Sequence, residues 1–292
     1  MTLKEERELK KAAKLEAEKQ RIEAMREYEE MYDTFSYICG IDEAGRGPLA
    51  GPVVAGAVIL PKGKRILYVN DSKKLSEKKR DELFDVIKEE ALSYGIGIVS
   101  PERIDEINIL QATYEAMHEA VNKLSVKPDI LLNDAVTIPG IDVKQIPIIK
   151  GDAKSLSIAS ASILAKVTRD RLMTEYDSLY PEYGFARHKG YGTKVHIEAI
   201  KEYGPCPIHR RTFIKNFMDV AVMPNIKDEN EVKRAMDELP QSSAGKTIMT
   251  TEPKFIPTEA AKIFLEDKTE MKIRLIDCVG YMVEGAAGHL EN

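Results

Sequence analysis

The chain has 292 residues, of which 43% are hydrophobic and 31% are charged, and its formal net charge is −5. This length suits one large domain or two small ones, and no window holds the long apolar run of a membrane helix. The charged N-terminus argues against a secretory signal, and three cysteines without ligand spacing favour a reduced, cytoplasmic protein over a disulfide scaffold.

Residues 1–31 predict a helix, because they are rich in Glu, Lys, Ala and Arg and contain neither Gly nor Pro. The apolar stripe of this helix is thin and consists of Leu3, Leu9, Ala13, Leu15 and Ile22. A mostly solvated helix is therefore expected. Residues 1–35 are interpreted as a charged helical extension, either a solubilising segment or an additional arm that handles substrate.

From Tyr37 onward the pattern alternates between strands and helices. Strands are predicted at Tyr37–Asp42, Val53–Leu60, Tyr94–Val99, Asp129–Asp134 and Ile146–Ile149. Helices are predicted at Glu77–Leu92 and Ser155–Tyr180, and Ser100 followed by Pro101 marks the start of another. Mixed strands and helices with acids at strand ends predict an α/β fold with a site at one edge of the sheet.

The most informative segment is residues 37–52, which read YICGIDEAGRGPLAGP. A short apolar run ends in Asp42 and Glu43, and the loop Gly45-Arg46-Gly47 follows at once. Carboxylates at a strand end are hard oxygen ligands for Mg²⁺ or Mn²⁺. A glycine-flanked arginine lets the backbone approach a phosphate that the guanidinium binds. Alone, each piece is more often a surface pair or a turn, but together they indicate metal-dependent cleavage of a phosphodiester.

This segment resembles the signature of bacterial ribonuclease HII, and further motifs of that family follow in order up to about Arg211. They are NDSKKLS at 70–76, GIGIV at 95–99, NILQAT at 108–113, KGDAKS at 150–155, ASILAKVTRD at 161–170, HKGYGT at 188–193 and PIHRR at 207–211. The resemblance implies a ribonuclease H-like mixed sheet flanked by helices over residues 36–211. It also implies a metal-dependent endoribonuclease that hydrolyses the RNA strand of RNA–DNA hybrids and cuts at single ribonucleotides in duplex DNA.

By local motif, the resemblance implies four catalytic and metal-binding carboxylates: Asp42, Glu43, Asp134 and Asp152. Asp42 and Asp134 are assigned as the chief ligands of Mg²⁺ or Mn²⁺, with two ions expected when substrate is bound. Because neighbouring strand residues face opposite ways, Asp42 and Glu43 share a site only if the strand ends there. The family usually has glycine after Asp134, whereas this chain has Ala135.

The resemblance also implies a set of substrate-binding residues, namely Gly45, Arg46, Gly47, Ser72, Lys73, Lys74 and Tyr191. The glycine-arginine loop is expected to read the 2′-hydroxyl, which alone distinguishes ribose from deoxyribose. Ser72 and the two lysines are expected to contact phosphates, and Tyr191 to stack on the sugar that follows the ribonucleotide. Asp170 is interpreted as a salt-bridged structural acid, and Lys166, His188 and His209 as structural or phosphate-side groups.

The charge distribution suits such a substrate. Residues 1–35 carry a net charge of −2, residues 36–217 carry +2, and residues 218–292 carry −5. Since four acids of the middle segment are candidate metal ligands, the remainder of that segment is basic, as binding of a polyanion requires.

A second resemblance covers residues 212–288. The segments TFIKNFM at 212–218, DELPQS at 237–242, GKTIMTTEPKF at 245–255 and LIDCVGY at 275–281 resemble the nucleotidase domain of stage IV sporulation protein A, a spore-coat scaffold. Its phosphate-binding loop is missing, because Pro240 stands where G-x-x-x-x-G-K-[ST] requires the first glycine. Residues 212–292 are interpreted as an incomplete α/β fragment that binds no nucleoside triphosphate.

Two alternatives to a nuclease remain at this point. One is a spore-morphogenesis scaffold with the nuclease as a passenger, against which the missing phosphate-binding loop counts. The other is a non-catalytic nucleic-acid binder, against which the intact set of acids counts. The leading interpretation is a monomeric cytoplasmic nuclease with no membrane partner.

Overall fold

The computed structural model describes residues 2–217, together with the backbone of residues 222–223 and 249–250. These residues divide into two compact units. The first comprises Gly51–Met173 with the chain that precedes Pro48, and the second comprises Pro48–Ala50 with the described chain from Thr174 onward. The predicted domain boundaries at residues 35 and 211 stay predictions.

The first unit is built on a five-stranded mixed sheet. Its strands are β1 (Ile38–Ala44), β2 (Val53–Ile59), β3 (Ser93–Val99), β4 (Ile130–Asp134) and β5 (Lys144–Ile148). They lie in the order β3-β2-β1-β4-β5, with β2 antiparallel to β1 and β3, and with β4 parallel to β1 and β5. The predicted mixed sheet is confirmed, and each predicted strand end lies within two residues of the observed one.

Eight α-helices occur within residues 2–217. They are α1 (Leu3–Ala24), α2 (Glu27–Met31), α3 (Glu77–Glu90), α4 (Pro101–Asn122), α5 (Leu156–Leu179), α6 (Phe185–His188), α7 (Lys194–Tyr203) and α8 (Arg211–Ile214). Ser100 caps α4 as predicted, accepting a hydrogen bond from the Arg103 backbone. The same helix is interrupted at Asn108, whose φ is 68°. In the part of the chain that the structure describes, no helix combines the length and apolarity needed to cross a membrane.

Helices α4 and α5 approach the sheet closely at glycines. A Cβ added at Gly56 of β2 would lie 2.4 Å from the carbonyl oxygen of Ala161 in α5. A Cβ added at Gly97 of β3 would lie 1.9 Å from that of Ala116 in α4. Only glycine permits these distances, so the small residues of the sheet and of α5 set the separation of the layers.

The N-terminal extension packs on the first unit more closely than its sequence predicts. Leu3 and Leu9 are 77% and 59% exposed, as a solvated helix requires. Ile22 and Met25, in contrast, are buried in a hydrophobic cluster with side chains of β2, α3 and α5. The expectation of a mostly solvated helix is therefore wrong at the end of α1, where Ile22 of the last turn and Met25, the residue after the helix, join the core.

An acid of α2 caps the start of α5. The Glu29 carboxylate accepts a hydrogen bond from the Ser157 backbone N–H at 2.9 Å and one from the Ser155 hydroxyl at 2.6 Å. A carboxylate at a helix N-terminus pairs with exposed N–H groups and with the positive end of the helix dipole, which stabilises by about 1 kcal/mol. The extension thus braces the helix that begins shortly after Asp152.

The predicted C-terminal fragment, residues 212–292, lies mostly outside the described residues. The start of the segment, TFIKNFM at 212–218, overlaps α8. Two short strands, β6 (Val222–Met223) and β7 (Met249–Thr250), pair in parallel. The predictions for the remainder of this segment, including Pro240 and Gly245-Lys246-Thr247, lie beyond what the structure describes.

Candidate active site

Three carboxylates meet where the parallel strands β1, β4 and β5 end. Asp42 lies near the end of β1, Asp134 is the last residue of β4, and Asp152 lies in the 3₁₀ turn after β5. One carboxylate oxygen from each lies within 4.8 Å of the others. The strand register explains this meeting, because Ile41 lies opposite Asn133 in the parallel β1–β4 pair and the two aspartates follow directly.

Backbone amides orient two of these side chains. The Glu43 N–H donates to Oδ1 of Asp42 at 2.8 Å, and the Gly151 N–H donates to Oδ1 of Asp134 at 2.7 Å. The Ser162 side chain of α5 also hydrogen-bonds Asp42. Side chains held in this way are oriented before any ion binds, which is typical of a prepared metal site.

Burial and mutual repulsion act on the acids of the site. Burial, followed by the charge of Glu43, raises the pKa of Asp42 well above its usual range. Burial and the neighbouring carboxylates of Asp71 and Asp134 raise the pKa of Asp152. Buried acids that disfavour one another's charge are stabilised by a bound divalent cation, so this donor set fits such an ion.

Glu43 lies outside the group of three. Strand β1 continues to Ala44, so Asp42 and Glu43 are both still paired with β2. Burial, together with the charge of Asp134, nevertheless raises the pKa of Glu43, so its carboxyl is still influenced by the acids of the site. The predicted strand end, Asp42, lies two residues before the observed end at Ala44, and the glycine loop follows directly. Oε1 of Glu43 lies 3.3 Å from the guanidinium of Arg46, and its Oε2 is buried without a hydrogen-bond partner. Its assignment as a metal ligand stays a prediction.

Ala135 adopts a conformation that glycine accommodates better. Its φ is 57°, in the left-handed region, where a Cβ costs roughly 1–2 kcal/mol. The departure from the family pattern after Asp134 therefore adds local strain. It does not displace Asp134 from the other two carboxylates.

A buried arginine supports the Gly45-Arg46-Gly47 loop. Arg169 of α5 is 1% exposed, and its Nε donates to the Pro52 carbonyl at 2.9 Å. A Cβ added at Gly45 would lie 2.1 Å from that Nε, whereas one added at Gly47 would have no atom within 4 Å. The loop is therefore packed at its first glycine and open at its second. The available signal was the ASILAKVTRD motif, which contains Arg169 but does not identify the carbonyl it binds.

Two of the predicted phosphate-binding residues lie beside the acids. Partial burial opposes the charge of Lys73, but the carboxylates of Asp152 and Asp71 outweigh it and raise the pKa of Lys73. The lysine is therefore charged next to the acidic group. Ser72 is 4% exposed, and its hydroxyl lies 3.0 Å from that of Ser162 in α5. The side chain of Ser72 thus ties its loop to α5.

Asp71 is a neighbour of the site that sequence analysis missed. Its carboxyl shares a hydrogen bond with that of Asp152, and its Oδ1 accepts from the Lys73 backbone N–H at 3.0 Å. The available signal was the NDSKKLS motif, in which an acid directly precedes Ser72.

Asp170 is buried in ion pairs. Its carboxylate oxygens lie 2.6 Å from Nζ of Lys166 and 3.6 Å from the guanidinium of Arg80. Arg80 in turn donates to the carbonyl oxygens of Ser72 and Leu75. The acid therefore braces the loop that carries Lys73, which agrees with a structural interpretation.

Tyr191 belongs to the second unit, between α6 and α7, and is 47% exposed. His188 and His209 belong to the same unit and are 9% and 2% exposed. Burial makes these two histidines structural groups, whereas the ring of Tyr191 is accessible for stacking.

Comparisons with known proteins agree with this architecture. Residues 39–216 match the family model of ribonuclease HII, and residues 193–292 match that of the ATPase domain of stage IV sporulation protein A. Ribonuclease HII of Lachnoclostridium phytofermentans is 67% identical over 203 residues, which cover 70% of this chain and 80% of that protein. Ribonuclease HII of Clostridioides difficile is 64% identical over 211 residues, which cover 72% and 83%.

A solved structure shares the fold. The crystal structure of the ribonuclease H2 from Pyrococcus horikoshii OT3 matches with a TM-score of 0.52 and 31% identity, covering 62% of this chain and 96% of that one. The mixed sheet with its flanking helices is therefore a ribonuclease H-like fold. The chain is a nuclease of the type II ribonuclease H class, and a spore-morphogenesis scaffold is not favoured. On its family model, its relatives and its fold, the chain belongs to the ribonuclease HII family.

Proposed function

We propose that Asp42, Glu43, Asp134 and Asp152 are the catalytic carboxylates, and that they hold Mg²⁺ or Mn²⁺. The supporting observation is that oxygens of three of them converge within 4.8 Å at the sheet edge. Hard carboxylate oxygens suit these ions rather than softer metals. Two ions are proposed when substrate is bound, with Glu43 completing the set.

Bound divalent ions supply an activated water and stabilise the leaving oxygen of a phosphodiester. The chain's own residues prepare the site for this chemistry. Oε2 of Glu43 is buried without a hydrogen-bond partner, which is energetically unfavourable. The raised pKa of Asp42 shows that its ionised form is also disfavoured. A bound cation would stabilise both oxygens. Lys73 adds a positive charge beside the carboxylates, where a substrate phosphate would otherwise be repelled.

The proposed substrates are RNA–DNA hybrids and duplex DNA that contains single ribonucleotides. Gly45, Arg46 and Gly47 are proposed to read the 2′-hydroxyl and its phosphate, which the open space around Gly47 supports. Ser72 and Lys73 are proposed to contact phosphates through their loop.

Three further proposals concern the state of the protein. It is proposed to act as a monomer, to bind no nucleoside triphosphate, and to work in the cytoplasm. The buried free thiol of Cys39 suits a reducing compartment, and Pro240 replaces the first glycine of a phosphate-binding loop.

Tyr191→Ala is expected to lower cleavage at a single embedded ribonucleotide roughly ten-fold. The variant loses the packing of the ring on the sugar, and we take this contact to be comparable to a base–aromatic stack, which contributes about 1–3 kcal/mol. Long hybrids should lose less, because every nucleotide of their RNA strand offers a 2′-hydroxyl and register matters less. Tyr191→Phe keeps the ring and is the matched control. The measurement is kcat/KM on both substrates for both variants. If Tyr191→Ala keeps the parental ratio of single-ribonucleotide to long-hybrid kcat/KM, Tyr191 does not take part in substrate recognition.

A further inference from the structure

Three buried histidines pack together beside the loop that carries Tyr191, all within the second unit. His188, His196 and His209 are 9%, 0% and 2% exposed. The rings of His188 and His196 stack with centroids 4.4 Å apart, and the Nε2 atoms of His196 and His209 lie 3.0 Å apart. A buried imidazole needs a partner for each nitrogen, because an unpaired polar atom in an apolar site is costly.

Two backbone groups, one beside His209 and one beside His196, determine which ring nitrogens carry a hydrogen. The Cys206 N–H donates to Nδ1 of His209 at 2.9 Å, so the hydrogen of this neutral ring is on Nε2. The Tyr191 carbonyl only accepts, and it lies 2.9 Å from Nδ1 of His196, so that Nδ1 carries the hydrogen. Nε2–H of His209 therefore donates to Nε2 of His196. These three hydrogen bonds all run in the same direction, from the Cys206 amide through the two rings to the Tyr191 carbonyl.

This series of hydrogen bonds requires both rings to be neutral. A charged His196 would set its Nε2–H against that of His209, and a charged His209 would set its Nδ1–H against the Cys206 N–H. Burial lowers the pKa of His196 to about 4, the Tyr191 carbonyl opposes this shift, and His188 adds to it. The ring of Phe185 contacts the imidazoles of both His196 and His209, with centroids 5.4 and 5.6 Å away. The surroundings thus favour a single arrangement of hydrogens.

We propose that His209 and His196 form a hydrogen-bond relay that fixes the backbone of Tyr191 and so positions its ring for the substrate. The Tyr191 carbonyl also accepts from the Thr193 N–H at 2.8 Å, and the Tyr191 N–H donates to the His188 carbonyl at 2.9 Å. With the peptide groups on both sides held, the ring has only its own two side-chain torsions left. The histidines are positioning residues, and the inference rests on the stacking role proposed for Tyr191.

Two substitutions at His196 test the relay. His196→Asn places an amide N–H where Nδ1 stood and keeps the hydrogen bond to Tyr191, whereas His196→Gln reaches towards His209 and loses that bond. His196→Gln should lower the ratio of single-ribonucleotide to long-hybrid kcat/KM roughly ten-fold, as loss of one stacking contact does. His196→Asn should keep most of the parental ratio, and equal ratios in the two variants would overturn the relay.

A double variant separates positioning from general destabilisation. If the relay acts through the ring, His196→Gln should change the ratio no further once Tyr191→Ala is present. A further fall in the ratio of single-ribonucleotide to long-hybrid kcat/KM in the double variant, relative to Tyr191→Ala alone, overturns the inference. If Tyr191→Ala alone leaves the ratio unchanged, the proposed stacking role fails instead.

Nitrogen-15 NMR of the parent protein tests the relay itself, independently of folding of the variants. At neutral pH, His196 is expected as the Nδ1–H tautomer and His209 as the Nε2–H tautomer. The opposite tautomers, or a charged ring at either position, would overturn the relay whatever the cleavage assays give.

Discussion

Replacing Asp42 or Asp134 by asparagine is expected to lower turnover by about a thousand-fold or more while duplex binding is largely kept. Each substitution removes a charged ligand but hardly changes side-chain volume. Bound ions contribute several kcal/mol to transition-state stabilisation, and about 1.4 kcal/mol corresponds to a factor of ten in rate. Single-turnover cleavage of a duplex with one ribonucleotide, together with a binding titration, measures both quantities.

Asp85→Asn, on the exposed face of α3, makes the same chemical change away from the site and is the matched control.

Metal-free Asp42→Asn should also unfold at a higher temperature than the parent. The folded-state pKa of Asp42 is raised by burial and by Glu43, so its ionised form destabilises the fold at neutral pH, and the amide removes this cost. Near-parental turnover in Asp42→Asn or Asp134→Asn would contradict the assignment, and a lower unfolding temperature would show that the fold was damaged instead.

Gly45→Ala is expected to lower both stability and cleavage, whereas Gly47→Ala should lower cleavage alone. At Gly45 the new Cβ would lie 2.1 Å from Nε of Arg169 and 2.7 Å from the Pro52 carbonyl, and φ is 96°. A strained backbone of this kind costs about 1–3 kcal/mol before the clash is counted. At Gly47 the added Cβ meets nothing within 4 Å, so the fold should be unaffected.

The loss of cleavage in Gly47→Ala arises from the substrate side. A methyl group there would hold the sugar and phosphate away from the backbone, and misplacement by about 1 Å costs on the order of a hundred-fold in rate. Thermal unfolding and single-turnover cleavage are measured on both variants. Parental cleavage by Gly47→Ala would show that substrate does not approach this glycine, and a parental unfolding temperature in Gly45→Ala would contradict the packing of Arg169.

Local patterns predict the elements of this fold well. Helix α5 is predicted at Ser155–Tyr180 and is found at Leu156–Leu179, because its sequence contains neither glycine nor proline, the two residues that most disfavour a helix. The meeting of Asp42 and Asp134 also follows from the sequence, once both are placed at the ends of neighbouring parallel strands. Periodicity predicts the two strand ends, whereas the choice of these two acids and of the fold that makes the strands neighbours follows from the resemblance to ribonuclease HII.

Contacts between distant segments could not be predicted in the same way. Arg169 bonds a carbonyl 117 residues away, and Ser155 bonds Glu29 across 126 residues. Periodicity reports which face of an element is apolar, but it does not identify the partner of a buried polar group. The histidine relay likewise joins His209 and Tyr191, which belong to two separate motifs, through His196, which belongs to neither and gave no signal of its own.

The most direct test of the proposed function compares three duplexes of one sequence: all-DNA, DNA with one ribonucleotide, and an RNA–DNA hybrid. Each is incubated with the protein in Mg²⁺, in Mn²⁺ and in excess chelator. Cleavage is predicted for the ribonucleotide duplex and the hybrid only when a divalent ion is present, and the all-DNA duplex should stay intact. Cleavage in chelator, or comparable cutting of the all-DNA duplex, would contradict a metal-dependent nuclease that reads the 2′-hydroxyl.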